Sequence, residues 1–266
     1  MKRYPKFNIG IFSKKEQLRL RTRRFELLRP EELADERIKN SLIYLPVGLL
    51  EWHSYAMPMG TDGIAAQRAC LAAAEKTGGV VLPALYLAPA LRREDGITAM
   101  EPDDSCAKSI FFSPEVFERT IDEYVRELAR QGYRRILLVA GHGSDGFTDV
   151  MEHVCEKQSE EGKRKVMLTH AWATWDVTPY SLGHATILET ALMMYLTDSV
   201  ALEKLPPLPL PLSCREYGFD SPRANADGSV NETDDPRKAT AALGEKLFVK
   251  GVENIVKLVN SKEFTI

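Results

Sequence analysis

The chain has 266 residues, 44% hydrophobic and 27% charged, with a formal net charge of −3, enough to bury one sizeable core. It shows no apolar run near the ~18 residues of a membrane span, and MKRYPKFNIGIFSKKEQ lacks the apolar stretch of a secretory leader. Its four cysteines, Cys70, Cys106, Cys155 and Cys214, form no CxxC pair, which fits a reducing cytoplasm and speaks against a thiol-based metal site.

Residues 1–24 carry nine Lys or Arg against one Glu, so 1–35 reads as a basic N-terminal arm. Such an arm can bind nucleic acid, but no aromatic interleaving or reading motif accompanies it; an acidic neighbouring subunit is its expected seat. SLIYLPVGL, 41–49, reads as a buried strand in which Pro46 marks a bend or an edge. Residues 62–77 form an Ala-rich amphipathic helix stopped by Gly78-Gly79, with Asp62 standing as an N-cap. VVLPALYLAP, 80–89, is a further strand, and 91–112 is a long loop of the kind that carries function. Ser113-Pro114-Glu115 opens a helix whose apolar face includes Phe117, Ile121, Val125 and Leu128 and which ends at Gly132. RRILLVA, 134–140, is the clearest strand; GHGSDG follows at once, then a helix over about 147–161 and a strand over 165–170. ATILETALMMYL is a helix, 205–236 an irregular excursion bearing Pro and Gly, and roughly 237–259 a last amphipathic helix.

This alternation implies an α/β protein with a mostly parallel sheet covered by helices on both faces, as one domain over 1–266. Ligands bind such sheets outside the carboxyl ends of the strands. Glu51 and His53 sit at one such end and, two residues apart in an extended segment, point to the same side. Asp62 opens the next helix, and His142 arrives at another strand end between Gly141 and Gly143. Two carboxylates and two imidazoles suit Zn²⁺, Mn²⁺ or Fe²⁺ better than Ca²⁺ or Mg²⁺, and a bridging carboxylate allows one ion or two. GHGSDG is not a nucleophile elbow, because His142 stands where that motif needs Gly. No HExxH or GxxxxGK[ST] element is present.

LPVGLLEWHSYAMPMGTD, LLVAGHGSDG and GHATILETALMM, taken in that order, resemble the creatininase (creatinine amidohydrolase) family. The resemblance implies a creatininase-type α/β/α layered fold, hexameric assembly and a binuclear metal site in each subunit. It implies Glu51, His53, Asp62 and His142 as ligands with Asp62 bridging, Glu189 as a further carboxylate at the centre, His184 as the catalytic histidine and Trp172 in the pocket. Departures from the family pattern fall on the substrate side: Trp52 replaces a Gln, Ser144 stands where creatininase has a carboxylate, and Tyr180 occupies a tryptophan position. Asp145, beside Ser144, and His170, beside Trp172, complete the expected substrate-binding set.

The expected function is hydrolysis of a small molecule at a cyclic amide or formamide C–N bond, with hydroxide generated on the metal attacking the carbonyl and His184 serving the leaving group. One alternative is ring opening of an oxidised cyclitol or sugar, of keto-inositol type, at a C–C bond. Another is a non-catalytic, ligand-binding relic of the fold. A cytoplasmic homo-oligomer without membrane contact is expected.

Overall fold

The structure is a computed structural model of the chain and describes residues 21–89, 107–172 and 179–266; the Asp145 side chain is also outside the description. Strand β1 (Leu42–Gly48) is buried along its whole length. It lies inside a sheet of order β2-β1-β4-β5, built with β2 (Val80–Val81), β4 (Arg135–Ala140) and β5 (Lys165–His170). A short strand, β3 (Leu85–Tyr86), pairs with β1 further along the same edge as β2. Every pairing is parallel, so each return needs a crossover. Helices α2 (Thr61–Thr77), α3 (Pro114–Arg130) and α4 (Asp145–Gln158) supply them, after a first helix, α1 (Pro30–Lys39), at the edge.

The two-residue period of the strands sorts the core. Ile43, Leu45, Val47, Ile136 and Leu138 face α3 and α4, where Phe117, Ile121, Val125, Phe147 and Met151 are buried. Leu42, Tyr44, Leu137 and Val139 face α2 and the last helix, α7 (Ala241–Val259), meeting Ala66, Ala69, Ala73, Val252 and Ile255. Full burial of each Leu, Ile, Val or Phe contributes roughly 1.5–3 kcal/mol. The result is the helix–sheet–helix layering read from the alternation. Helix α5 (Ile187–Leu196) and the one-turn α6 (Cys214–Tyr217) lie between β5 and α7 in the chain. α7 lies flush on its neighbours: a Cβ at Gly244 would stand 1.9 Å from the Ala191 carbonyl oxygen, and one at Gly251 2.2 Å from that of Ala171.

Several expectations are corrected. Pro46 marks neither a bend nor an edge; it sits in a central strand, in register with Val139. Tyr44 O accepts from Leu82 N and Gly48 O from Leu87 N, so the position between them faces the interruption at 82–84, where no ladder bond is lost. That same interruption divides the expected strand 80–89 into β2 and β3. α4 starts earlier than 147–161, at Asp145 directly after the extended Ser144, and ends earlier because Ser159 bonds to Val166 and a turn follows. α5 begins only at Ile187, since Ala185 has φ 59°. α7 starts at Ala241, after a separate short turn at Pro236–Lys238. Of the arm expected over 1–35, residues 1–20 lie outside the described residues, and the rest packs down: Arg23 pairs with Glu36 at 2.8 Å, and Pro30 opens α1. Of the loop 91–112, residues 91–106 are likewise outside; Ile110 N donates to Leu50 O at 2.9 Å, pinning its end beside β1. No helix of the described residues is long and apolar enough to cross a membrane.

Candidate metal centre

Two strand ends and two helix starts converge here. Asp62 is not the N-cap of α2, a place held by Gly60; it is the second residue of the helix and 1% exposed. It reaches the sheet because both facing strand ends are glycine: a Cβ at Gly48 would lie 2.5 Å from Gly63 N, and one at Gly141 2.0 Å from the Asp62 carbonyl oxygen. Past β1 the chain folds back, with Glu51 N donating to Met59 O at 2.9 Å, which turns Glu51 and His53 inward; His53 is fully buried. His142 follows β4 directly. Glu189 lies in the first turn of α5, where its Oε2 accepts from Ala185 N at 2.6 Å.

Donor atoms of Glu51, Asp62 and His142 lie within 4.8 Å of one another, as do those of His53, Asp62 and Glu189. The two sets share Asp62 through different oxygens: Oδ2 is 3.3 Å from His142 Nδ1 and Oδ1 is 3.3 Å from His53 Nε2. His142 Nδ1 is also 3.2 Å from Glu51 Oε2, and His53 Nε2 is 3.7 Å from Glu189 Oε2. Such spacings are those of atoms set ~2.0–2.2 Å around a common ion. The His53 Nδ1–H donates to the Glu51 carbonyl at 3.0 Å, so in the neutral ring Nε2 carries a lone pair, aimed among carboxylates. Glu51 Oε2, His53 Nε2 and Asp62 Oδ2 are all buried and have no hydrogen-bond partner among the described residues. Only a cation reconciles such a cluster: a proton on the imidazoles, or a metal ion. Its oxygen and nitrogen donors fit a divalent transition metal.

The electrostatics agree. Burial alone would raise the Asp62 pKa, yet His53 and His142 hold it far below the carboxylate range. Burial likewise opposes ionisation of Glu51, but His184 and then His142 draw it down. Burial would lower the His142 pKa, but the Asp62 and Glu51 carboxylates push it up to about 10. His53 also moves well above its ordinary value, burial being outweighed by Glu189 and Asp62.

His184 forms a third such set, with Glu51 and His53. Its Nε2–H donates to the Trp52 carbonyl at 2.6 Å, its Nδ1 is 3.8 Å from Glu51 Oε1, and its ring lies 4.5 Å from that of His53. What Trp52 offers here is its backbone; the indole is buried edge-on against Tyr55. Trp172 donates from Nε1 to Gly141 O at 2.9 Å, lies against Gly143, and walls an apolar pocket with Leu182, Gly183, Leu188, Glu189 and Leu192. Ser144 holds the N-cap position of α4, buried, its hydroxyl without a partner among the described residues. His170, half-buried at the end of β5, has its ring 6.4 Å from that of Trp172 and is not among the clustered donors. Tyr180 packs against the apolar cluster of Ile187, Leu188 and Leu247. Asp145 contributes the first residue of α4, its side chain being outside the description. Sequence reasoning missed Asp234, fully buried and bonded to the segment before His184; in NETDDP it reads as one more turn acid.

The family model described as creatinine amidohydrolase matches residues 26–259. The chain belongs to the creatininase family. A creatinine amidohydrolase of Pseudomonas putida is 23% identical over 241 residues, covering 81% of this chain and 88% of that protein. A crystal structure of creatininase aligns with a TM-score of 0.67 at 22% identity, covering 92% of this chain and 99% of the other. A mutant creatininase of Zn-Zn type aligns with a TM-score of 0.68 at 21% identity (92% and 99% covered), and a creatininase described with Mn at 0.66 and 22% (92% and 100%). These likenesses establish the creatininase fold for this chain.

Proposed function

We propose that this protein is a metal-dependent amidohydrolase that opens a cyclic amide or formamide C–N bond of a small molecule, using two divalent transition ions, Zn, Mn or Fe, per subunit. The observation that carries this reading is the pair of donor sets joined by the two oxygens of Asp62. Glu51, Asp62 and His142 would hold one ion and His53, Asp62 and Glu189 the other. When bound, such ions lower the pKa of a coordinated water from ~15.7 to ~7 and polarise a carbonyl oxygen. The Glu51 carbonyl keeps His53 in the tautomer that a ligand needs. His184 has its Nε2 proton committed to the Trp52 carbonyl, so Nδ1 is the atom from which a proton passes to the leaving nitrogen. Trp172, fixed by Gly141, forms a wall for the substrate.

Membership of a family whose relatives are named for amide hydrolysis supports C–N cleavage; no feature of the described residues favours the C–C ring-opening reading. A non-catalytic relic would have little reason to keep buried, mutually repelling lone pairs at Glu51, His53 and Asp62. Elemental analysis together with a screen of lactams and formamides tests the proposal. Wild type should carry about two ions per chain, as two-metal hydrolases do. Asp62→Ala should lose more metal than Glu51→Ala or His53→Ala. Unchanged metal in Asp62→Ala and His142→Ala would end it.

A further inference from the structure

The excursion at 205–236 has no part in the reading above, yet its backbone reaches the catalytic histidine. Asp234 is 0% exposed. Its Oδ1 accepts from Ser181 N at 3.1 Å, and its Oδ2 accepts from the Ser221 hydroxyl at 2.7 Å. Its backbone carbonyl accepts from Ile187 N, the first residue of α5, at 3.0 Å. One residue thus grips the chain three positions before His184 and three positions after it.

The middle of the segment is held by the same assembly. Asp220, next to the Ser221 that Asp234 fixes, donates its N–H to the His184 carbonyl at 3.1 Å. Gly183 lies so close that a Cβ there would stand 2.1 Å from the Asp220 carbonyl oxygen. Between these anchors Ala185 takes φ 59°, a left-handed conformation that a non-glycine residue keeps only when its surroundings impose it. Among the described residues the buried Asp234 carboxylate is answered by a backbone N–H and a hydroxyl rather than by a cation. That is a costly way merely to close a loop.

We propose that Asp234 is a positioning residue for His184, holding the 181–187 segment so that the imidazole spans the Trp52 carbonyl and the Glu51 carboxylate. This rests on the acid–base role given to His184 above, but its test need not. Zinc-loaded protein with nitrogen-15 histidine should show a slowly exchanging His184 Nε2–H resonance, identified by its absence from His184→Gln. In Asp234→Ala that resonance should be lost while metal content stays at the wild-type level. In Asp234→Asn it should return, because the amide oxygen can accept from Ser181 N and the amide nitrogen can donate to the Ser221 hydroxyl. On any amide the wild type turns over, Asp234→Ala should lower kcat on the order of 10²-fold through misplacement, with KM moving by less than about threefold.

If Asp234→Ala fails to fold, Ser221→Ala, which removes a single partner of the carboxylate, should broaden the same resonance and lower kcat less. A wild-type resonance in the variant that folds overturns the proposal. So does loss of the resonance together with metal, which would make Asp234 a support of the metal centre. A wild type that turns over no amide sinks the proposed function instead, and the resonance still decides the role of Asp234.

Discussion

His184 and Glu189 sit five residues apart in the chain, yet their surroundings give them different work. His184 spends one ring nitrogen on a backbone carbonyl and turns the other toward Glu51, 3.8 Å away. Removing it should therefore spare the ions. His184→Ala is expected to lower kcat by ~10²–10⁴, the range of a lost general acid, with metal content near wild type; metal lost along with activity would make His184 a ligand. Glu189 faces the lone pair of His53 and caps the start of its own helix through Ala185. Glu189→Gln can keep the cap while losing ligand strength, so metal per chain should fall toward one ion. These carboxylates and imidazoles were legible in the sequence from residue type, strand-end position and the family pattern. The carbonyls that orient them, from Glu51 and Trp52, and the buried Asp234 were not, because backbone acceptors leave no residue-type signal.

At the scale of elements, β1, β4 and α2 form one unit whose spacing is set by Gly48 and Gly141. Gly141→Ala would drive a methyl group into the Asp62 carbonyl, 2.0 Å away, and press on Ala66 at 3.2 Å. The strand end and the helix cannot both stay. We expect a stability loss of about 1–3 kcal/mol, the usual range for overpacking, read from urea midpoints, and weaker metal binding because Asp62 moves with the helix. Undiminished metal affinity would show that Asp62 is not placed by this contact. The long elements were legible because their apolar periods are strong: α3 opens with Ser113 accepting from Val116 N, just where Ser-Pro-Glu places it. Errors fell where tertiary contacts override local pattern. The interruption at 82–84 shelters Pro46, and the left-handed Ala185 delays α5.

At the scale of the whole molecule, metal and pH must pull stability in opposite directions. In metal-free protein the raised pKa of His142, and of His53, adds stability that is complete below their unfolded value of ~6.5. For His142 it is lost as pH climbs toward about 10. The lowered pKa values of Asp62 and Glu51 add stability above their unfolded values of ~3.9 and ~4.3, lost as pH falls. Chelator-treated protein should thus melt highest between roughly pH 4.5 and 6.5 and melt lower on passing from pH 7 to 9. Metal-loaded protein should not lose stability over that interval, because alkali frees the imidazoles for the ions. Calorimetry with and without chelator reads both; at ~100 times its dissociation constant an ion stabilises by about 2.7 kcal/mol. Parallel pH curves would place the ions elsewhere. Helix α7 has a consequence of another kind. Its Gly244 and Gly251, roughly two turns apart, bring it into backbone contact with the helix that carries Glu189 and with the residue before Trp172. In a saturation mutagenesis screen scored by turnover, these two positions should behave like pocket residues, intolerant even of alanine, although neither has a side chain to offer a substrate. A map of essential positions would then extend onto α7, a helix that carries none of the clustered donors, and an engineer reading only the donor residues would overlook it.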